Sequence, residues 1–159
     1  MAGTSIGGVI ATSTANWARE RIERIVLLDA LVLIPGENVQ DLIKPGGKRE
    51  WEVTEFTRGL PRHYLESHML ADLDPKTRAF ALERMTMHPI GAMPQIGEDS
   101  DFWDKSWSVT VINSRNSLNP AESHQRRNAE KLNAKWLEID AGHYPMLSHP
   151  EELARMLLS

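Results

Sequence analysis

Near the start of the chain, a serine stands between two glycines in the segment Gly3-Thr4-Ser5-Ile6-Gly7, which spells G-x-S-x-G. In this pattern the serine occupies a sharp turn between a strand and a helix, and its hydroxyl is exposed as a nucleophile. Such a turn requires a preceding strand, and the sequence predicts none before Ser5. Because so short a pattern also arises by chance, a flexible segment rich in glycine and serine is the alternative interpretation.

A histidine near the other end of the chain could supply the base that a serine nucleophile needs. His143 lies in the segment EIDAGHYPM, after a short predicted strand and before the last predicted helix. A hydroxyl is a weak nucleophile at neutral pH, and an imidazole can accept its proton and return it to the leaving group. Alone, His143 is typical of an ordinary loop histidine. Together with Ser5 it predicts nucleophilic catalysis.

The remaining histidines are less suited to catalysis. His63, His68, His124 and His149 are predicted on or at the start of helices, with His124 on a solvated face, whereas His88 could line a pocket. Since no pair combines metal-ligand spacing with supporting carboxylates, we predict no metal site.

Composition narrows the class of protein. The 159 residues suffice for one domain with a hydrophobic core, and the net charge of −4 does not indicate a nucleic-acid partner. The absence of cysteine excludes disulfides and a cysteine nucleophile and suits the cytoplasm. No apolar run is long enough to cross a membrane, and no signal peptide is evident.

Aliphatic runs alternate with helical segments along the chain. Strands are predicted at residues 24–34, 108–114 and 135–142, and the first is apolar enough to be buried on both faces. Helices are predicted from residue 6 to about residue 21, after Asn119 and after Ser148, the last two residues being suitable N-caps. This alternation predicts an α/β protein with a parallel sheet.

The stretch between residues 36 and 107 has a different composition. It is punctuated by proline and glycine, is rich in methionine and tryptophan, and shows no convincing strand. We therefore predict a core of residues 1–35 and 108–159 with an inserted helical cap of residues 36–107. The predicted pocket residues of the cap are Met85, Met87, His88, Met93 and Trp103.

Three segments carry a family resemblance that spans nearly the whole chain. The first 40 residues, LERMTMHPIGAMPQ and AGHYPMLSHPEELARMLL resemble α/β-hydrolase-fold serine esterases, in particular bacterial esterases related to plant methyl esterases and hydroxynitrile lyases. The resemblance implies a parallel sheet equivalent to the sixth to eighth strands of that fold. It also implies a nucleophile elbow with Ser5 as nucleophile, His143 as general base, the Ile6 N–H as one oxyanion donor, and no cofactor.

The acid of the implied catalytic triad is left open between two residues. The family usually places an aspartate after the seventh strand, where this chain has Asn116. Asparagine can orient a histidine, but in a serine protease the exchange of aspartate for asparagine lowers kcat by roughly 10⁴-fold. Asp29, at the end of the sixth strand, is the alternative acid, since some relatives draw their acid from that position. A purely structural role for Asp29 is the competing interpretation.

The resemblance begins at the elbow, so the first five strands of the fold have no counterpart in the sequence. Residues 25–31 would then have one unpaired edge, and an unpaired apolar strand invites pairing with another chain. We therefore expect self-association, or a partner chain that supplies the missing half.

The leading functional hypothesis is a hydrolase of small, apolar carboxylic esters or lactones, acting through an acyl-enzyme on Ser5. The alternatives are a non-catalytic module, derived from a hydrolase, that binds ligands or other proteins, and a hydroxynitrile-lyase-like C–C lyase.

Overall fold

The computed structural model describes residues 1–42, 51–92 and 101–159. In chain order, the strands are β1 (Ala2–Ser5), β2 (Ile25–Ala30), β3 (Glu52–Val53), β4 (Thr57–Gly59), β5 (His88–Pro89), β6 (Val109–Ser114) and β7 (Lys135–Ile139). The α-helices are α1 (Gly7–Trp17), α2 (Val39–Leu42), α3 (Arg62–Tyr64), α4 (Pro75–Arg84), α5 (Glu122–Lys131), α6 (Pro145–Ser148) and α7 (Pro150–Leu158). A π-helical turn covers Leu65–Met69, and 3₁₀ turns cover Arg19–Arg21, Ile90–Ala92 and Phe102–Asp104.

The core is a four-stranded parallel sheet with the strand order β1-β2-β6-β7. Every residue of β2 and β6 is buried, as expected for parallel strands that are covered on both faces. The predicted α/β architecture with a parallel sheet is therefore confirmed.

Alternation along β2 sends side chains to two separate hydrophobic clusters, because successive residues of a strand point to opposite faces. Ile25 and Leu27 pack with Ala15 of α1 and Ala129 of α5. Val26 and Leu28 pack with Ile112, Ile139 and, from α7, Leu153. The sheet is thus covered by α1 and α5 on one face and by α7 on the other.

The strand before Ser5 is the main departure from the sequence prediction. Ala2–Ser5 forms β1, where Val26 N–H donates to Met1 O at 2.8 Å and Leu31 N–H donates to Ser5 O at 2.9 Å. The segment is too short and too rich in small residues for its composition to predict a strand. Its extended conformation is instead stabilised by pairing with β2. The elbow therefore has its preceding strand.

Because of β1, the unpaired edge of the sheet differs from the predicted one. Because β2 is paired with β1 on one side and β6 on the other, the prediction of an unpaired edge at residues 25–31 is wrong. Within the described residues the edge strand on this side is β1, where Ala2 and Thr4 are exposed. The sheet thus contains one strand more than the predicted equivalents of the sixth to eighth.

Helix boundaries differ from the predictions at three places. The first helix ends at Trp17 and is followed by a 3₁₀ turn, instead of running to about residue 21. Ala121, not Asn119, is the N-cap of α5, and His149, not Ser148, is the N-cap of α7. Ser148 cannot be the N-cap of α7 because it is the last residue of α6.

The range predicted as a helical cap contains both helices and strands. The sequence predicts no strand there, whereas β3, β4 and β5 form a small antiparallel sheet. Leu70, Leu73 and Ala81 are buried in a cluster that Tyr144 and Leu147 join from the core side. The division into core and cap remains a prediction. In the described part of the chain, no helix has the length and apolar character needed to span a membrane.

Candidate active site

Ser5 ends β1 and stands directly before α1 in a left-handed backbone conformation. Its φ of 50° is uncommon for a residue with a side chain and is typical of sharp turns at functional sites. The turn leads straight into the helix, since Ile6 already has helical dihedral angles and Gly7 is the first residue of α1.

Two of the glycines around Ser5 are needed because backbone segments approach closely. A Cβ at Gly3 would lie 2.5 Å from the carbonyl oxygen of Gly7, and a Cβ at Gly8 would overlap the carbonyl oxygen of Leu31. A Cβ at Gly7 would meet no atom within 4 Å. Close packing therefore requires the first glycine of the G-x-S-x-G pattern, Gly3, and also Gly8, which directly follows the pattern, whereas it does not require Gly7.

His143 is paired with Asp29 below the carboxyl edge of the sheet. Nδ1 of the imidazole lies 2.5 Å from Oδ2 of the carboxylate, and the two residues are 6% and 0% exposed. A carboxylate can only accept, so Nδ1 carries the proton and Nε2 is left as an acceptor. Asp29 itself has a φ of 42°, which turns the chain at the end of β2.

The second oxygen of Asp29 is held by a buried amide. Nε2 of Gln125, on α5, donates to Asp29 Oδ1 at 2.7 Å and to Asn113 Oδ1 at 2.8 Å. Gln125 is 1% exposed, and its Oε1 has no hydrogen-bond partner in the described structure. Both carboxylate oxygens of Asp29 thus receive a donor.

Asn116, predicted as one candidate for the acid, does not lie beside Nδ1 of His143. Its Nδ2 donates to Oδ1 of Asp140 at 3.1 Å on the protein surface, and the place beside Nδ1 of His143 is taken by Asp29. Ser117, the next residue, lies 3.5 Å from the same nitrogen through its hydroxyl. The physical reason is the direction of the loop after β6, which carries the Asn116 side chain outward.

Ser5, Asp29 and His143 share one edge of the sheet because each follows or ends a parallel strand at its carboxyl end. Ser5 and Ala30 are paired in the register of β1 and β2, so the serine stands beside the strand end that carries Asp29. Among the described residues, no hydrogen bond joins Ser5 Oγ to His143. The N–H of Ile6 lies at the N-terminus of α1, where the first amides lack acceptors within the helix.

A polar contact joins the loop that carries His143 to the cap range. The N–H of Gly142 donates to Oδ2 of Asp72 at 2.8 Å, and a Cβ at position 142 would lie within 2.9 Å of three carboxyl atoms of that aspartate. The Tyr144 ring stands edge-on to the imidazole of His143, with centroids 5.0 Å apart. Burial raises the pKa of the Tyr144 hydroxyl, which therefore stays protonated.

A cavity of about 380 Å³ lies between the cap range and Tyr144. Its lining includes the predicted pocket residues Met85, Met87 and His88. Trp103 lies elsewhere: its Nε1 donates to Leu33 O at 2.9 Å and its ring packs against the core. Met93 lies outside the described residues. A smaller cavity of about 40 Å³ borders His143 and is lined by Tyr64, His68, Met69, Asn116, Ser117, Leu118 and Asn119.

His124 is partly buried and bonded, not solvated as the sequence predicts. Val32 N–H donates to its Nε2 at 3.1 Å, and the Arg127 guanidinium lies 3.1 Å from its Nδ1. Burial, with the nearby positive charge of Arg127, lowers the pKa of His124 to about 4. Arg127 in turn forms an ion pair with Glu37, in the loop after β2.

Sequence reasoning missed Gln125, Asn113 and Asp72. A signal for Gln125 was present, because Gln125, Ala129 and Leu132 follow one another at helical spacing and so share one face of α5. No comparable signal marks Asp72, whose role depends on a loop 70 residues away.

A model of the alpha/beta hydrolase family matches residues 1–156. Among solved structures, the chain is similar to an extracellular alpha/beta-hydrolase from a Paenibacillus species, described as sharing structural and functional homology with tobacco salicylic acid binding protein 2. The identity is 14%, the TM-score is 0.81, and the match covers 99% of this chain and 69% of that one. A pyrethroid hydrolase from Sphingobium faniae gives 14% identity, a TM-score of 0.78 and coverages of 99% and 68%. A methylesterase from Arabidopsis gives 15% identity and a TM-score of 0.76, and the match covers 99% of this chain and 66% of that one. No curated protein matches the chain.

Proposed function

Since the chain belongs to the alpha/beta hydrolase family, we propose that it is a serine hydrolase that cleaves small carboxylic esters or lactones through an acyl-enzyme. The observation that carries the proposal is the buried pair of His143 and Asp29, with 2.5 Å between Nδ1 and Oδ2, at the sheet edge that also bears Ser5. A histidine in this tautomer presents a basic Nε2, which is what a serine nucleophile requires.

The proposed reaction has two steps. In the first, Ser5 Oγ attacks the ester carbonyl carbon while Nε2 of His143 accepts the hydroxyl proton, and that proton then passes to the alcohol that leaves. In the second, water attacks the acyl-enzyme with the same histidine as base, releasing the carboxylic acid and restoring Ser5. The Ile6 N–H donates to the oxyanion formed in each step, and Asp29 stabilises the imidazolium.

We assign the acid role to Asp29 and not to Asn116. Two findings support this choice: Asp29 is completely buried against Nδ1, and the amide of Asn116 is engaged with Asp140. A carboxylate stabilises an imidazolium electrostatically, which a neutral amide does not.

The substrate class is proposed from the larger cavity, whose lining includes neither Ser5 nor His143 but does include Tyr144, the residue next to His143. Leu60, Leu65, Leu82, Met85 and Met87 contribute apolar surface to it, so it suits an ester with a compact apolar part. The names of two of the similar proteins, a pyrethroid hydrolase and a methylesterase, are consistent with an ester substrate. Their individual substrates remain properties of those proteins.

One observation favours the second candidate, a non-catalytic module that binds ligands or other proteins. Within the described residues Ser5 Oγ is not hydrogen-bonded to His143, so the serine and the base are not engaged with each other. A fluorophosphonate probe distinguishes the two functions, because it reacts only with an activated serine.

We expect the probe to label the protein, Ser5→Ala to abolish labelling, and His143→Ala to reduce it strongly. Ser13→Ala, a serine on α1 away from the turn, is the matched control and should label like the parent. Absence of labelling in a protein with a cooperative unfolding transition would replace the hydrolase by the binding module.

We propose that the protein is cytoplasmic, since a sequence without cysteine suits a reducing compartment.

We also propose that the edge strand β1 adds to a strand of another chain, either a second copy or a chain with further strands. Ala2 and Thr4 are exposed on this edge, and edge strands are templates for strand addition. Light scattering should detect a dimer that Ala2→Pro converts to monomer, since proline blocks pairing. A parent protein that is monomeric at all concentrations would contradict pairing between copies.

A further inference from the structure

Gln125 is a buried amide that neither substrate nor nucleophile would touch, yet it contacts the carboxylate of Asp29. Its Nε2 is placed between two oxygens, Asp29 Oδ1 at 2.7 Å and Asn113 Oδ1 at 2.8 Å. The orientation of the amide follows from chemistry, because a carboxylate can only accept and must therefore face the NH₂ group.

This arrangement is unfavourable for packing alone. Gln125 is 1% exposed, and its Oε1 has no partner among the described residues, so a buried acceptor stays unsatisfied. An apolar side chain of the same length would avoid that penalty. The residue is better explained by the two protons it donates than by the volume it fills.

The two carboxylate oxygens of Asp29 accept hydrogen bonds from different residues. Gln125 bonds Oδ1 from α5, and His143 bonds Oδ2 from the loop after β7. Asn113, on β6, accepts the second amide proton and so fixes the rotation of the Gln125 side chain. With Oδ1 occupied, rotation of the carboxylate about its Cβ–Cγ bond would break the bond to Gln125.

We propose that Gln125, oriented by Asn113, is a positioning residue that holds the Asp29 carboxylate with Oδ2 directed at His143. The inference rests on the proposed function, because it assigns a role within the same catalytic arrangement. It extends that arrangement from three residues to five and places the two added residues on α5 and β6.

The first test is Gln125→Met, which keeps the length of the side chain and removes both donated protons. We expect kcat for p-nitrophenyl acetate to fall about 10- to 100-fold with KM changed less than about twofold, since misplacement of a catalytic group by about 1 Å has effects of this size. Asn128→Leu is the matched control, because Asn128 is a buried amide of the same helix that bonds His124 and not Asp29. It should leave kcat within about twofold of the parent while lowering stability.

A double-mutant cycle separates positioning from a structural role. The readout is the rate of fluorophosphonate labelling of Ser5, which remains measurable when turnover is slow. In the Asp29→Asn background, Gln125→Met should change this rate less than about twofold, since a residue that acts through Asp29 has nothing left to position. An equal fold-loss in both backgrounds would overturn the inference.

Gln125→Glu provides a second variant with nearly the same shape, should the methionine variant fail to fold. The new carboxyl group would face Asp29, which in turn contacts His143. The carboxyl group can donate a hydrogen bond to Asp29 only while it is protonated. Activity should therefore survive at acidic pH and fall as the pH rises, giving a bell-shaped profile that the parent lacks. A profile superimposable on that of the parent would overturn the inference.

The downfield ¹H NMR resonance of the His143 Nδ1–H reports the geometry without turnover. We expect it in the parent, lost in Asp29→Asn, and shifted or broadened in Gln125→Met. Its persistence unchanged in Gln125→Met would overturn the positioning role alone. A folded parent with no labelling and no turnover would overturn the proposed function, and the catalytic role of Gln125 with it.

Discussion

The two sides of the proposed site are built in opposite ways. On the core side, Asp29, Asn113 and Gln125 are at most 2% exposed, and every bond between them joins separate elements of the fold. On the cap side, the cavity is lined from short strands and helices, and Phe56 beside them is 71% exposed. The proposed chemistry thus depends on a buried polar network, whereas the cavity wall proposed to meet a substrate comes from short elements near the surface. Core substitutions should alter rate or stability, and cap substitutions should alter substrate binding.

The strongest way to break the core side is to change its buried acid. Asp29→Asn should lower kcat/KM by about 10⁴-fold, as the same exchange does in a serine protease, because the amide no longer enforces the productive tautomer. Asn116→Asp should change kcat/KM less than about twofold, since its side chain faces Asp140. Steady-state hydrolysis of p-nitrophenyl esters measures both. A reversed order would place the acid at Asn116.

The tight turn of the core side should be the next most sensitive feature. Gly8→Ala should destabilise the fold by about 3 kcal/mol, because its Cβ would collide with the Leu31 backbone, which cannot move without displacing β2. Gly7→Ala is the control: with no atom within 4 Å of the added methyl group, it should raise the free energy of unfolding by up to about 1 kcal/mol. Urea unfolding at equilibrium measures both changes. Equal losses would show that the packing around the turn is looser than described.

A titratable histidine on the same helix as Gln125, outside the network around Asp29, predicts how stability depends on pH. The pKa of His124 is about 4 in the fold and about 6.5 in the unfolded chain, so the unfolded chain binds the extra proton between these values. Stability should therefore fall as the pH is lowered from about 6.5 to about 4, by on the order of 2 kcal/mol. His124→Gln keeps an acceptor for Val32 N–H and should flatten this part of the profile. A slope that survives in that variant would assign the titration to another group.

The cap side should give the smallest effect and a different kind of effect. Met85→Ala removes side-chain atoms from the cavity wall and so enlarges the cavity. The variant should raise KM for an apolar ester by about 3- to 10-fold, with kcat nearly unchanged. The same variant should bind a short acetyl ester almost as well as the parent does. If kcat falls as much as in the core variants, the distinction between the two sides is wrong.

The sequence could indicate candidate residues for the site but not their geometry. Ser5 and His143 stand out because their local patterns are informative, and the aliphatic run around β2 predicts a buried strand. The choice between Asp29 and Asn116 could not be made, since both lie near the carboxyl end of a predicted strand and only the path of the backbone there decides which side chain turns inward. The helical spacing of Gln125, Ala129 and Leu132 places Gln125 on the buried face of α5, but the pattern does not reveal which group a buried amide contacts, so its bond to Asp29 could not be predicted. The strand β1 could not be predicted because it depends on pairing with β2 and not on its own composition.

The contact between Asp72 and Gly142 has a kinematic consequence. A single peptide bond separates Gly142 from His143, and Asp72 belongs to the range that also walls the cavity. Displacement of that range must therefore either break the 2.8 Å hydrogen bond or pull the histidine loop with it. Since Tyr144 and Leu147 also pack against Leu70 and Leu73, the position of the imidazole is mechanically coupled to the range that lines the cavity.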